Sequence, residues 1–158
     1  MNIALFEPDI PQNTGSLMRL AACLGVRLHI IEPCGFLLDD KQLKRVAMDY
    51  GVQTDLRRHI SWEKFLENIG NQSRIILLST KAENIYTDFF FQPDDILLFG
   101  RESSGVPDYV VKSSYAQVKI PMHENARSLN VALAASMVLG EALRQTYSFP
   151  STSGRGLG

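Results

Sequence analysis

The fold of the chain is decided by the stretch ILLFGRESSGVP, residues 96–107. Its apolar run ends at Gly100, a pattern that is typical of a buried strand in a parallel sheet. Gly105 and Pro107 then interrupt the chain before a short helix. Because ligands of open α/β sheets usually bind where strands run into such turns, the stretch predicts a strand, a ligand-binding turn and a helix in succession.

A second strand and turn follow the first. Residues 118–122 predict a short strand, after which Ser128 is a candidate N-cap for a long helix that reaches about Gln145. This helix is rich in alanine and leucine, and no charged residue lies between Arg127 and Glu141. We expect its first half to be buried all round, on one face by its own domain and on the other by a second subunit.

The rest of the chain alternates between strands and helices. Short apolar runs predict strands at residues 2–6, 27–31 and 74–79, and Ser61 is a candidate cap for a helix between the last two. No internal repeat is visible in the sequence. The alternation indicates a three-layer α/β fold with a mainly parallel sheet.

The first helix is predicted from its turn residues. Residues 11–15 are interpreted as a turn, and Thr14 or Ser16 is a candidate cap for the helix that follows. Gly25 is expected to end this helix. Arg19 then lies in its first turns, near the carboxyl end of the first strand.

The composition is that of an ordinary globular protein. The chain has 158 residues, 45% of them hydrophobic, and a formal net charge of −1. We expect one domain over residues 1–147 and a disordered tail over 148–158. Cys23 and Cys34 are interpreted as reduced thiols, and neither a membrane span nor a signal peptide is evident, which predicts a cytoplasmic protein.

The low net charge means that binding to RNA would need local basic patches. One candidate patch consists of Lys41, Lys44 and Arg45, on a helix predicted to begin at Asp39 or Asp40, and residues 57–59 form another. Both patches are interpreted in the first place as solvated protein surface. They would instead contact RNA phosphates if both lie on the same face of the protein as the glycine-rich turns. Trp62 and residues 89–91 are interpreted as packing residues rather than base-stacking platforms.

Several familiar kinds of site are excluded by the sequence. The 100–105 turn lacks the Lys-Ser/Thr pair of a phosphate-binding P-loop, and no nucleophile elbow is present. His29, His59 and His123 have no metal-ligand spacing, so no metal is expected. What remains is a group of turns with small residues and open backbone groups, suited to holding an adenine and a short amino-acid moiety.

Four motifs, in this order, resemble those of the SpoU-TrmD (SPOUT) RNA methyltransferases. They are PQNTG with Arg19, GRESSGVP, IPM and SLN, which begin at residues 11, 100, 120 and 128. The resemblance covers nearly the whole chain, to about residue 147. The short sequence before the first motif resembles the branch that methylates the wobble nucleotide of tRNA at the ribose 2'-hydroxyl.

The resemblance implies a C-terminal trefoil knot and S-adenosylmethionine as the methyl donor. The apolar pattern of the C-terminal helix predicts a homodimer formed through that helix. The implied acceptor is the wobble nucleotide of a tRNA, a cytidine or a modified uridine. The donor is expected among Leu78, Gly100, Ile120, Met122 and Ser128. The residues expected to serve the reaction are Arg19, Asn13, Glu102, Ser128 and Asn130.

Arg19 is expected at the reacting hydroxyl, where two roles are open. A guanidinium with a pKa above about 12 is a poor base. Arg19 either takes the proton or binds the target's phosphate and stabilises the developing oxyanion. The sequence departs from many relatives of the branch at Arg101 and Gly140, which leaves the exact nucleotide open.

Three other functions are compatible with the sequence. The same chemistry could act on ribosomal RNA or on another tRNA ribose. The chain could instead be an RNA- or nucleotide-binding module without catalysis. It could also be a small-molecule enzyme that binds phosphate at the Gly100 turn.

Overall fold

The computed structural model describes residues 1–39, 41, 45 and 55–147. The predicted tail at 148–158 lies outside these residues. So does most of the helix predicted to begin at Asp39 or Asp40, including Lys44, although Lys41 and Arg45 are described and both are exposed.

Seven strands form one sheet in the described part of the chain. They are β1 (Asn2–Phe6), β2 (Arg27–Ile31), β3 (Leu56–His59), β4 (Ile75–Leu78), β5 (Asn84–Ile85), β6 (Ile96–Phe99) and β7 (Ala116–Lys119). Their order across the sheet is β3-β2-β1-β6-β4-β7-β5, and every pairing is parallel. The carboxyl ends of all these strands therefore meet at one edge of the sheet.

Helices cover both faces of the sheet. They are α1 (Pro11–Leu24), α2 (Trp62–Ile69), α3 (Asp108–Ser113) and α4 (Val131–Thr146). Side chains of β1 alternate between the faces, since Ile3 and Leu5 pack with α1 and α4 whereas Ala4 and Phe6 pack with α2 and α3. The predicted three-layer α/β fold with a parallel sheet is thus confirmed.

The predicted start of the first helix is wrong. α1 begins at Pro11, so residues 11–15 are helical, and neither Thr14 nor Ser16 is its cap. Proline suits the first helical position because that position's N–H has no partner within the helix. Gly25 ends the helix in the left-handed conformation, with φ of 65°, as predicted.

The predicted cap of the last helix is also wrong. Asn130, not Ser128, caps α4, because its Oδ1 accepts the backbone N–H groups of Ala132 and Leu133 at 2.9 and 3.3 Å. Nor is the first half of α4 buried all round within one chain. Ala135 is fully buried, whereas Leu133 is 61% exposed.

The basic residues 57–59 lie in β3, an edge strand that the sequence analysis did not predict. Trp62 is buried in the core as predicted, and Phe91 is buried although Phe90 is exposed. Within residues 1–39 and 55–147, no helix combines the length and the apolar character needed to cross a membrane.

Candidate active site

A cleft of about 740 Å³ opens at the carboxyl edge of the sheet. Its walls are the segments that follow β4, β6 and β7, together with the first turn of α4. This volume lies within the range of small-molecule sites. The edge is the one where ligands of open α/β sheets usually bind.

The turn after β6 forms one wall of the cleft and depends on two glycines. Backbone hydrogen bonds join Arg101 and Gly105 in both directions, at 3.0 and 2.8 Å. Gly105 has a φ of 69°, which favours glycine. A Cβ on Gly100 would lie 2.8 Å from the carbonyl carbon of Gly105, so the turn closes only without a side chain there.

All five residues expected to hold the methyl donor line this one cleft. Each lies at or just beyond the carboxyl end of a strand, or in the turn before α4. They are Leu78, Gly100, Ile120, Met122 and Ser128. The structure thus brings them together, and their contact with a donor stays a prediction.

Three of the expected polar residues form a continuous relay of hydrogen bonds at the rim of the cleft. Asn130 Nδ2 donates to Asn13 Oδ1 at 2.9 Å, and Asn13 Nδ2 donates to Glu102 Oε1 at 3.3 Å. The direction of donation is fixed by α4, because its terminal N–H groups can only donate and so hold Oδ1 of Asn130. The relay therefore runs from the N-terminus of α4 to the carboxylate of Glu102.

The other two expected residues, Ser128 and Arg19, make none of the hydrogen bonds described for this relay. Ser128 is exposed and lines the cleft. Arg19 is exposed on α1 and is not among the described residues that line the cleft. It lies six positions after Asn13, which is about 9 Å along a helix axis. Arg19 thus lies on the same helix as Asn13 but is not among the described residues that line the cleft of one chain.

Asp9 is the main residue of the site that the sequence analysis missed. Its backbone N–H donates to Glu102 Oε2 at 3.0 Å, and its Oδ1 accepts the backbone N–H of Glu102 at 3.2 Å. Arg101 lies against the same group, with Nη1 3.2 Å from Glu7 Oε2 and Nε 3.8 Å from Asp9 Oδ2. Two acidic residues, Glu7 and Asp9, follow β1 in the sequence. Their place in the site can be recognised only once β1 is known to pair with β6.

The two neighbouring carboxyl groups have opposite pKa shifts. Burial, and then hydrogen bonding to Asp9, raises the pKa of Glu102. The hydrogen bond with Glu102, and then that with Ser103, lowers the pKa of Asp9. The two carboxyl groups therefore differ in environment, since Glu102 is the more buried and Asp9 the better hydrogen-bonded. No group of three or more His, Cys, Asp or Glu side chains among the described residues is arranged to hold a metal ion.

Comparisons with known proteins identify the family. Residues 1–140 match the model of the SpoU rRNA Methylase family. A tRNA (cytidine(34)-2'-O)-methyltransferase from Beijerinckia indica is 57% identical over 144 residues, which cover 90% of each chain. This similarity confirms the resemblance to the wobble-nucleotide branch.

Solved structures agree with this assignment. One from work on the 2'-OH methylation of C/U34 on tRNA superposes with a TM-score of 0.83 at 42% identity, covering 91% of this chain and 94% of that one. The SpoU methyltransferase AviRb from Streptomyces viridochromogenes, in complex with the cofactor AdoMet, gives a TM-score of 0.80 at 26% identity over 92% of this chain and 60% of that one. The chain therefore belongs to the SpoU rRNA Methylase family.

Proposed function

We propose that the chain is an S-adenosylmethionine-dependent 2'-O-methyltransferase that acts on the wobble ribose of tRNA, a cytidine or a modified uridine. One observation carries the proposal: a single cleft gathers the five residues expected to hold the donor and, at its rim, the relay of Asn13, Glu102 and Asn130. The similarity to a tRNA (cytidine(34)-2'-O)-methyltransferase over 90% of the chain supports the choice of substrate. A tRNA substrate also implies a cytoplasmic location.

The cleft suits S-adenosylmethionine by its chemistry. Leu78, Ile120 and Met122 give it apolar walls for an adenine ring, and the missing side chain at Gly100 leaves backbone groups within reach. When bound, the donor supplies a methyl group that is activated by a positively charged sulfur. The role of the residues that line the cleft is to hold this group in one orientation.

The transfer itself requires positioning. The ribose 2'-oxygen must approach the methyl carbon in line with the carbon–sulfur bond, so that the C–O bond forms as the C–S bond breaks. Fixed orientation can supply roughly 7 kcal/mol of the barrier reduction. We assign this task to the relay, whose members are held at both ends, by the N-terminus of α4 and by the backbone of Asp9.

Arg19 is proposed to serve the acceptor side, where one of two roles applies. It either takes the proton of the 2'-hydroxyl, or binds the target's phosphate and stabilises the developing oxyanion while the proton leaves to phosphate or water. Arg19 is not among the described residues that line the cleft of one chain, and this supports a substrate that lies across two subunits. The exposed apolar side chains of Leu133 and Met137, on α4, are the proposed contact with the second subunit. We further propose one domain over residues 1–147 whose C-terminal segment forms the trefoil knot of the SPOUT fold.

The test is transfer of labelled methyl from S-adenosylmethionine to unmodified tRNA, with nuclease mapping of the labelled nucleotide. We expect the label on the wobble ribose. Arg19→Ala is expected to abolish transfer and to leave donor affinity within about twofold of wild type. Arg144→Ala, a matched change on α4 of an exposed arginine paired with Glu141, is the control.

Other outcomes would favour the other functions. Label at another nucleotide, or on ribosomal RNA only, would keep the chemistry and overturn the substrate. Donor binding without any transfer would favour a non-catalytic module. Nucleotide binding without donor binding would favour the phosphate-binding enzyme. Equal loss of donor binding and transfer in folded Arg19→Ala would contradict the acceptor role of Arg19.

A further inference from the structure

Asp9 connects two segments that are far apart in sequence but form one wall of the cleft. Its carboxylate accepts the backbone N–H of Glu102 at 3.2 Å and the hydroxyl of Ser103. Its own N–H donates to Glu102 Oε2 at 3.0 Å, across a separation of 93 residues. These three hydrogen bonds hold the 100–105 turn against the connection between β1 and α1.

The position of Asp9 is itself fixed by packing. Gly35, in the loop after β2, donates its N–H to the carbonyl of Pro8 at 2.9 Å. A Cβ at position 35 would lie 2.6 Å from the Cβ of Asp9, so this loop fits directly against Asp9 only as glycine. Three segments of the chain, following β1, β2 and β6, thus meet at one side chain.

Several charged or titratable groups lie near Glu102. Asp9, in the connection after β1, and Cys34, in the loop after β2, each interact with Glu102, and Arg101 is its neighbour in the turn. Of these, Asp9 is the one whose carboxylate shares hydrogen bonds with Glu102. Glu7 pairs with Arg101 instead.

We propose that Asp9 is a positioning residue for methyl transfer, whose carboxylate fixes the 100–105 turn and whose backbone N–H holds the side chain of Glu102. The carboxylate of Asp9 also acts on the charge of Glu102, because burial, and then the hydrogen bond with Asp9, raises the pKa of Glu102. Glu102 ends the relay from α4, so its charge determines how strongly it holds Asn13. Asp9 thereby acts on the reaction through Glu102. The proposal rests on the proposed function.

Two substitutions separate the hydrogen bonds of Asp9 from its charge. Asp9→Asn has the same shape, and its carboxamide can still accept from the Glu102 N–H and pair with the Ser103 hydroxyl, but it carries no charge. Asp9→Ala removes both. Glu7→Gln is the matched control, because it neutralises the next carboxylate along the chain, which pairs with Arg101.

The first measurement is the titration of the Glu102 carboxyl carbon, followed by NMR on glutamate labelled with ¹³C, with Glu102→Gln used for assignment. Asp9→Asn is expected to move the midpoint to lower pH, since Glu102 no longer faces a second negative charge. Glu7→Gln is expected to move it less. A purely structural role of Asp9 would leave the titration midpoint of Glu102 unchanged. A midpoint in folded Asp9→Asn equal to that of wild type therefore overturns the proposal.

The second measurement is the affinity for S-adenosylmethionine. Asp9→Ala is expected to weaken binding about tenfold or more, equivalent to about 1.4 kcal/mol, and Asp9→Asn by much less. Unchanged affinity in folded Asp9→Ala overturns the positioning role. If Asp9→Ala does not fold, Ser103→Ala replaces it, with a loss of about threefold expected from the missing hydroxyl.

The design keeps this proposal distinguishable from the proposed function. If wild-type protein binds no S-adenosylmethionine, the proposed function fails. The Glu102 titration is carried out without S-adenosylmethionine. It therefore tests the coupling between Asp9 and Glu102 even if the proposed function fails.

Discussion

The hydrogen bond between Asn13 and Asn130 makes a quantitative prediction, because it joins the first and last helices across 117 residues at 2.9 Å. Asn13 is 8% exposed and also donates to Glu102. Asn13→Ala therefore removes one neutral hydrogen bond, worth about 1 kcal/mol, and one to an ionisable group, worth about 1.5–3 kcal/mol when that group is charged. We expect a loss of about 2–4 kcal/mol in the free energy of unfolding.

Asn130→Ala removes the same bond and also the cap of α4. A lost N-cap costs about 1 kcal/mol, so the total expected loss is about 2 kcal/mol. The double variant loses the shared bond only once. Its loss should therefore be about 1 kcal/mol smaller than the sum of the two single losses.

The assay is urea unfolding of wild type and the three variants at one protein concentration, which keeps any contribution from association constant. Asn13→Ala combined with Ser61→Ala is the control, since Ser61 caps the separate helix α2 and the two losses should add. Additivity of Asn13→Ala and Asn130→Ala to within about 0.3 kcal/mol would refute the relay as a stabilising connection.

Three further predictions follow from the structure. Leu133→Glu places a charge in the proposed dimer contact and should give a folded monomer by light scattering. Leu37→Glu, the same change at a position that is 90% exposed, should remain a dimer. A dimeric Leu133→Glu would contradict the proposed interface. Burial lowers the pKa of His29 to about 4 from about 6.5, so as the pH falls from 6.5 to 4 the unfolded state takes up the proton first and stability is lost, by up to about 3 kcal/mol. Urea unfolding at pH 7 and 4.5 should show this loss in wild type and a smaller one in His29→Gln; equal losses would exclude His29 as the cause. Gly100→Ala should weaken donor binding at least about tenfold by calorimetry, because its Cβ meets backbone at 2.8 Å, whereas Gly15→Ala, in open space, should bind normally.

The central strands of the sheet, such as β1, β4 and β6, were predictable because they are buried on both faces. A short apolar run such as residues 96–99, followed by a turn residue, is typical of a buried strand. The interpretation is clear here because such runs alternate with predicted helices along the chain. β3 was not predictable in this way, because it lies at the sheet edge and carries Arg57 and Arg58. Charged side chains are typical of edge strands, where they discourage pairing with other chains, and they hide the strand from a search for apolar runs.

The sequence motifs point to five residues that line one cleft, but not to the hydrogen bonds at its rim or to Asp9. Ser128 and Asn130 are both good N-cap residues two positions apart, and local preference cannot separate them. Asn130 caps α4 with its Oδ1 and donates from Nδ2 to Asn13. The bond to Asn13 is a tertiary contact, which the sequence around position 130 does not predict. The buried pair of His29 and His59, whose ring nitrogens lie 2.9 Å apart, was missed because it depends on the pairing of β2 with β3.

The relay also bears on how the protein is made. Its members come from the first tenth of the chain, from the middle third and from the beginning of the last helix, so most of the chain must leave the ribosome before the cleft has both of its walls. Contacts between such distant residues form late, because a long loop must close before they can be made. A chain that terminates before Asn130 lacks the residue that joins α4 to Asn13. We therefore expect the cleft to be completed only in chains whose synthesis has passed Asn130 and α4.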